Sequence, residues 1–382
     1  SSDLAGGHVV KRVLPFVVLG LIAIAGFQWR IRHEMVDFGV YHQAAVRVTH
    51  AEPLYQAADG HYQFKYLPVF ALLTSPLALV DADGAKMIWF ALIYGALVVF
   101  VRWSVTFLPA RQRASAALMG LTVLLMAKFY AHELTLGQAN LLFGVLALGG
   151  IAAIQMEAPA VSGVLFGLAV CIKPYAALFG PWLLVTEGRR ATVAFASTCA
   201  LALVAPVVVY GPGGNVQLLL DWWHTVTAST APNLTGADNI SFAALGAKWL
   251  GPGLPARLVA GVMSAVGLGL IIDAWSRRKD VVEPAYLEAA GLLVLVPLLS
   301  PQGWDYVLLL ATPAVALIID RLPELSRPWR IAAWTALAVQ GLVIFDLVGR
   351  QAYGLYMRSS IVTLTALTMI VVLNKIRRAK SA

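Results

Sequence analysis

Four ionisable residues, Asp37, His132, Glu133 and Lys173, lie at the margins of long apolar runs. A charged or amide side chain is costly in lipid, so one placed there marks a pathway or a reaction site. Each has a sharp and a plain reading. Asp37, in the run MVDFGVYHQAA, is either a base poised over the membrane or a helix N-cap. Lys173 precedes a helix-breaking Pro174. Either it binds an anionic phosphate, or it extends its ammonium to the interface. His132 and Glu133 are ligand-binding residues of a site or an ordinary polar helix end.

Further polar residues fall near the same predicted membrane face. The first loop adds Tyr41, His42 and Arg47, and the segment after His132 adds Gln138 and Asn140. A later loop adds Asn239 and Ser241, which either bind sugar or cap the helix that follows. The turn SPQGWDY adds Gln302, Trp304 and Asp305, with Trp304 either a belt residue or a sugar platform. The opposite ends of the apolar runs carry mostly arginine and lysine.

These groups must be positioned by membrane helices. The chain of 382 residues is 59% hydrophobic and only 13% charged, about half the charged share of a soluble domain. Its apolar surface exceeds what one soluble interior could hide. The pattern predicts an all-α, polytopic transmembrane bundle of about twelve spans, with short helices on the outer side, forming one domain over residues 1–382. The first span is expected near 13–29 and the last near 359–374. Loops at about 30–84 and 211–255 are expected to contribute to the site. The net charge of +8 reads as cations holding helix ends in the cytoplasm, not as a nucleic-acid surface. Lys11 and Arg12, Arg111 and Arg113, Arg189 and Arg190, Arg277 to Lys279, Arg321 to Arg330 and Lys375 to Lys380 then share one face. Both termini are cytoplasmic under this scheme. Tyr66 to Val80 contains Pro68 and Pro76, so it is expected to be broken, interfacial or re-entrant, not a full crossing. The first apolar run leads into Arg30 and Arg32 with no small-residue cleavage site, so no cleaved signal is expected. Cys171 and Cys199 lie in apolar runs and imply no disulfide framework.

Several chemistries lack their motifs. There is no phosphate-binding G-x-x-x-x-G-K loop, no G-x-S-x-G elbow, no H-E-x-x-H zinc helix and no paired C-x-x-C. A soluble nucleotide-sugar donor would need a dinucleotide-type fold that is not evident. An activated donor is therefore expected to arrive within the membrane.

Five runs in order, DFGVYHQAA, FKYLPVFALLTSPLALV, LTLGQANLLFGVLALGG, GVLFGLAVCIKPYAALFGPWLLV and SPQGWDYVLLLATP, resemble glycosyltransferase family 87 over about 37–313. The resemblance implies a lipid-donor fold of the GT-C class and a polyprenyl-phosphate-mannose-dependent type of activity at the periplasmic face of a bacterial inner membrane. It implies Asp37 as the catalytic base of an inverting transfer. Lys173, His132 and Arg47 would meet the donor phosphate. Tyr41, His42, Glu133, Gln138, Asn140, Asn239, Ser241, Gln302, Trp304 and Asp305 would bind sugar or acceptor. The partners are a polyprenyl-phosphate sugar, a lipid or glycan acceptor and membrane lipid, with no nucleic acid, cofactor or metal. The sequence departs from the family at Ile240 and at Asp305-Tyr306, where the family often has glutamine and histidines. A flippase or transporter of lipid-linked sugar, or a non-catalytic glycan-binding envelope subunit, are the competing readings. A transporter would more often show related halves and mid-depth polar sites.

Overall fold

A computed structural model describes residues 20–281 and 283–379. Lys11, Arg12, the first part of the span expected at 13–29, and Lys380 lie outside the described residues.

The chain is helical throughout, with no strand among the described residues beyond one isolated bridge between Asn239 and Trp304. Helix α1 covers residues 20–29, α2 Val36–Thr49 and α3 Pro68–Thr74. Then come α4 Ala82–Thr106, α5 Ser115–Leu136, α6 Asn140–Gln155, α7 Pro159–Ile172, α8 Phe179–Thr186, α9 Gly188–Val204 and α10 Val207–Asn233. The last seven are α11 Phe242–Leu250, α12 Leu254–Ser276, α13 Pro284–Leu299, α14 Thr312–Arg321, α15 Arg327–Leu342, α16 Phe345–Arg358 and α17 Ile361–Ala379. Local chemistry sets many of the starts. Proline occupies the first turn of α3, α7, α12, α13, α14 and α15, where its missing N–H costs nothing. Asp81 caps α4 through Gly84 N, and Ser241 caps α11 through Ala244 N.

The span count differs from the expected twelve. Among the described residues four helical segments are long and apolar enough to cross a membrane: Ala82–Thr106, Ser115–Leu136, Leu254–Ser276 and Asp305–Glu324. Two bent pairs raise this to six, α9 with α10 at 89° and α15 with α16 at 103°. Shorter apolar helices, Asn140–Gln155, Pro159–Ile172 and Pro284–Leu299, fall short of the roughly 20 residues a full crossing needs. Hydropathy marks each apolar run but not its length as a helix. The fold is consistent with a membrane-embedded protein. The segment 66–80 forms α3 and a 3-10 turn, Ser75–Leu79, both short. The loop expected at 211–255 is mostly α10 and α11, because the chain re-enters helix directly after Gly211, whose φ is +68°.

The centre of the bundle is α13 and the segment 305–321, nearly all of whose residues are buried. Helices α9, α10 and α12 are peripheral and expose Leu201, Val208, Val216, Leu258 and Val262. This suits a lipid-facing surface. α7 and α9 approach so closely that a Cβ on Gly163 would stand 2.1 Å from Ala191 O. Such close helix approach through small residues is the membrane mode of packing. Cys171 and Cys199 are unpaired.

Charges separate along the bundle. At one end Asp320 accepts from the backbone of Gln112 and Arg113, and Arg321 donates to Pro109 O and Ala110 O and pairs with Glu324. At this end too, Arg278 pairs with Glu187 and Glu288, and Arg377 with Asp273. The residues singled out for chemistry gather at the other end.

Candidate active site

Gln138 is the hub of that end. It follows Gly137, the left-handed residue that ends α5 at φ +70°. A Cβ at Gly137 would meet Phe38 at 2.8 Å, so glycine lets the α5 end approach α2. The buried Gln138 amide then faces both ways. Its Nε2 donates to Asp37 Oδ2 at 2.7 Å and to the Tyr306 hydroxyl at 3.1 Å. Its Oε1 accepts from the hydroxyls of Tyr41 at 2.9 Å and Tyr66 at 3.0 Å, with Lys173 Nζ at 3.4 Å.

Asp37 stands in the first turn of α2, but it caps nothing: the N-cap position is Met35 and no side chain bonds there. Its carboxyl is half-buried, and Oδ1 takes no hydrogen bond from the described residues. Burial raises its pKa above the ordinary aspartate value. The Gln138 hydrogen bond and the charges of Lys173, His132 and Lys65 pull it back in part. A carboxylate with one oxygen anchored and one open can accept a proton from a bound hydroxyl.

Lys173 ends α7 with extended backbone, φ −138° and ψ 112°, because a residue before proline avoids helical geometry. Its ammonium donates to the Tyr66 hydroxyl at 2.5 Å and lies 4.3 Å from the Tyr66 ring centre. Tyr66 and Tyr41 share a 2.5 Å hydrogen bond between hydroxyls. The plain reading, an ammonium extended to the interface, does not describe these contacts.

Lys65 is a cation that the apolar pattern hid. It precedes Tyr66 and is half-buried, with its carbonyl held by Trp222 Nε1 at 3.1 Å. Its ammonium has no hydrogen bond or ion pair among the described residues. Burial lowers its pKa, and Asp37 opposes that shift.

The remaining expected residues divide. His132 Nδ1 lies 3.5 Å from Asp305 Oδ1, and its ring meets Tyr306 edge-on at 5.1 Å between centres. Asp305 also accepts from Tyr306 N, so this pair joins the hub through Tyr306. Trp304 is half-buried and bridges to Asn239. Close by, Asp238 keeps contact with solvent at the surface, and partial desolvation and then the Asp305 carboxylate raise its pKa.

Other expected ligands are occupied in holding the fold. Arg47, expected at the donor phosphate, clamps Asp59 with bonds of 2.6 and 2.7 Å within its own loop. Glu133 is fully buried and closes the α5–α6 turn by accepting from Asn140 Nδ2 and Leu141 N. Asn140 is equally buried, and its oxygen accepts from Tyr175. Asn239 donates to Asn233 O and Pro301 O, and Ser241 caps α11, so both fix the loop. Gln302 donates to Val226 O, Ser229 Oγ and Thr230 Oγ1 of α10. His42 packs beside Phe38, and its Nε2 is buried without a partner. Among the described residues no group of three or more His, Cys, Asp or Glu is placed to hold an ion.

The arrangement offers an open carboxylate oxygen within the field of two ammonium groups, beside a ring of phenols, at the end of a lipid-compatible bundle. No curated protein and no solved structure matches the chain. A match to a family model spans residues 64–301, which takes in Lys65, Tyr66, His132, Gln138 and Lys173 but stops short of Asp37 and of Trp304. That match covers more than half of the 382 residues, and the chain belongs to glycosyltransferase family 87.

Proposed function

We propose that this protein transfers a sugar from a polyprenyl-phosphate donor to a hydroxyl of a lipid or glycan acceptor, with inversion at the anomeric carbon. The observation that carries the reading is the Asp37 carboxylate, anchored on one oxygen by Gln138 and open on the other, with Lys65 and Lys173 nearby. Asp37 takes the proton of the acceptor hydroxyl as that oxygen bonds to the anomeric carbon. The bond from that carbon to the phosphate oxygen breaks, and its electron pair leaves with the polyprenyl phosphate. Lys65 meets the released charge directly. Lys173, already bonded to Tyr66, contributes its field from behind. A fixed cation in a half-buried site acts more strongly than one in water. No acid is needed for a leaving group that is already a stable anion.

The membrane character of the bundle supports a donor that travels in lipid. Mannose is the first sugar to test by resemblance to the family, and arabinose and glucose follow. The address that fits is a bacterial inner membrane with the Asp37 end at the periplasmic face. The test is incubation of the purified protein with a panel of polyprenyl-phosphate sugars and mixed lipid acceptors, read by mass spectrometry. The expected result is an acceptor heavier by one sugar, with release of polyprenyl phosphate. Transfer from a nucleotide sugar alone, or donor crossing between leaflets unchanged, would defeat the proposal.

A further inference from the structure

The second half of α16 is built unlike the rest of the site's end. α15 and α17 run antiparallel. Gln340 near the end of α15 donates to Val362 O at the start of α17, while Lys375 near the end of α17 covers Trp329 at the start of α15. α16 joins them at one shared end and is bent by 103° from α15. A helix set at such an angle between two antiparallel neighbours runs across the end of the bundle. Its end is that of the candidate site. Lys128 Nζ of α5 lies 3.5 Å from the Tyr356 hydroxyl, and Lys248 Nζ bonds both Met357 O and Asn239 O.

Gly349, at φ +79°, breaks α16 and sets residues 350–358 apart from the first turn. In this half Tyr356 and Met357 are buried against the bundle. The outward face carries Arg350, Gln351, Leu355 and Arg358 around an open groove that Gly354 also lines. A Cβ at Gly354 would meet nothing within 4 Å, so the notch is open. Arg350 rests 5.4 Å from the Phe345 ring centre, and neither arginine has a carboxylate partner among the described residues. Asp346, the nearest acid in sequence, lies before the Gly349 break and is exposed. Leu347 and Leu355 are 72% and 69% exposed on the same helix. Unpaired guanidinium groups beside exposed leucines complement one ligand chemistry: a phosphate that carries acyl chains.

We propose that residues 350–358 bind the headgroup of an anionic phospholipid of the surrounding bilayer. The phosphate sits in the notch at Gly354 between Arg350 and Arg358, and Leu347 and Leu355 meet the acyl chains. The site is separate from the Asp37 hub and takes lipid as a structural ligand beside the reaction site.

The test is native mass spectrometry of the full chain in detergent, titrated with phosphatidylglycerol, with phosphatidylcholine and with inorganic phosphate. Wild type is expected to retain phosphatidylglycerol about tenfold more tightly than phosphatidylcholine, as two arginines near a lipid phosphate would give. The Arg350→Ala/Arg358→Ala variant should lose that preference. Gly354→Leu keeps both charges but fills the notch, and it should weaken phosphatidylglycerol retention as well. Equal retention of the two lipids by wild type, or an unchanged preference in both variants, would overturn the proposal. Displacement of phosphatidylglycerol by an equal concentration of inorganic phosphate would overturn it too, by assigning the notch to a free anion.

Discussion

Both ends of the bundle hold charged side chains, and they use them differently. At the Asp320 end, acids and bases close on each other and on backbone groups: Asp320 on two N–H groups, Arg321 on two carbonyls and Glu324, Arg278 on Thr186 O and Glu187. At the Asp37 end, neutral amides and phenols do the bonding, and Asp37 and Lys65 retain open valence. The first end is fastened and the second is poised. Buried ion pairs that are closed serve the fold, whereas unmatched charge held in place is the mark of a reaction site.

Four substitutions would break or sharpen that contrast. Asp37→Asn keeps the size and the contact with Gln138 but removes the base, and kcat should fall by about 10²–10⁴-fold. The folded carboxyl has a raised pKa, so its protonated form is the one the fold favours. Its contribution to stability is full below the ordinary aspartate pKa and is lost as pH rises through the raised value. At neutral pH the Asn variant should therefore melt no lower than wild type, and wild-type kcat should fall on acidification at a pH above that of a free aspartate. A variant with full activity would remove Asp37 from the chemistry. Asp320→Ala, at the other end, strands two N–H groups and removes the carboxylate 3.4 Å from the buried Arg321. It should cost about 3–5 kcal/mol of stability with little change in kcat of the surviving protein. Thermal melts in detergent and assays on the folded fraction separate the two, and a pure kcat defect would erase the contrast. Lys65→Ala should raise the KM for a polyprenyl-phosphate donor about tenfold and leave the acceptor KM in place. An unchanged donor KM would show that Lys173 suffices. Ser241→Ala removes the α11 cap and a long 3.4 Å bond to Pro301 O, so a loss of about 1 kcal/mol with normal kinetics is expected. A marked acceptor defect would return Ser241 to the substrate.

The sequence made the helices legible and their three-dimensional use only partly so. Apolar runs located α4, α6, α7 and α13 to within a few residues, since hydropathy and proline or capping residues act locally. The count of full spans was not legible, because bends such as that between α9 and α10 are settled by packing and by φ at single glycines. At the site, Asp37, Gln138 and Lys173 stood out as polar groups in apolar surroundings, and they do converge. The same signal also drew in Glu133, Asn140, Asn239, Ser241 and Gln302, whose polar atoms bond to backbone groups or to other side chains of the protein. Polarity alone does not tell a side chain that serves a ligand from one that serves a carbonyl. Tyr66 was hidden for the opposite reason, since a tyrosine in an apolar run reads as core or interface until its hydroxyl is seen bonded. The lone signal for Lys65 was its place before Tyr66 in FKYLP.

The amide of Gln138 is held in one orientation by its partners. A carboxylate only accepts, so the nitrogen must turn toward Asp37, and the oxygen is left for the phenols and the ammonium. The side chain therefore works as a polar spacer, keeping acid and base at arm's length where a direct contact would quench both. Replacing it with glutamate would put a second anion against the first, and replacing it with leucine would let lysine and aspartate collapse into a spent couple. The reactivity of this end depends as much on that enforced distance as on the two charges themselves.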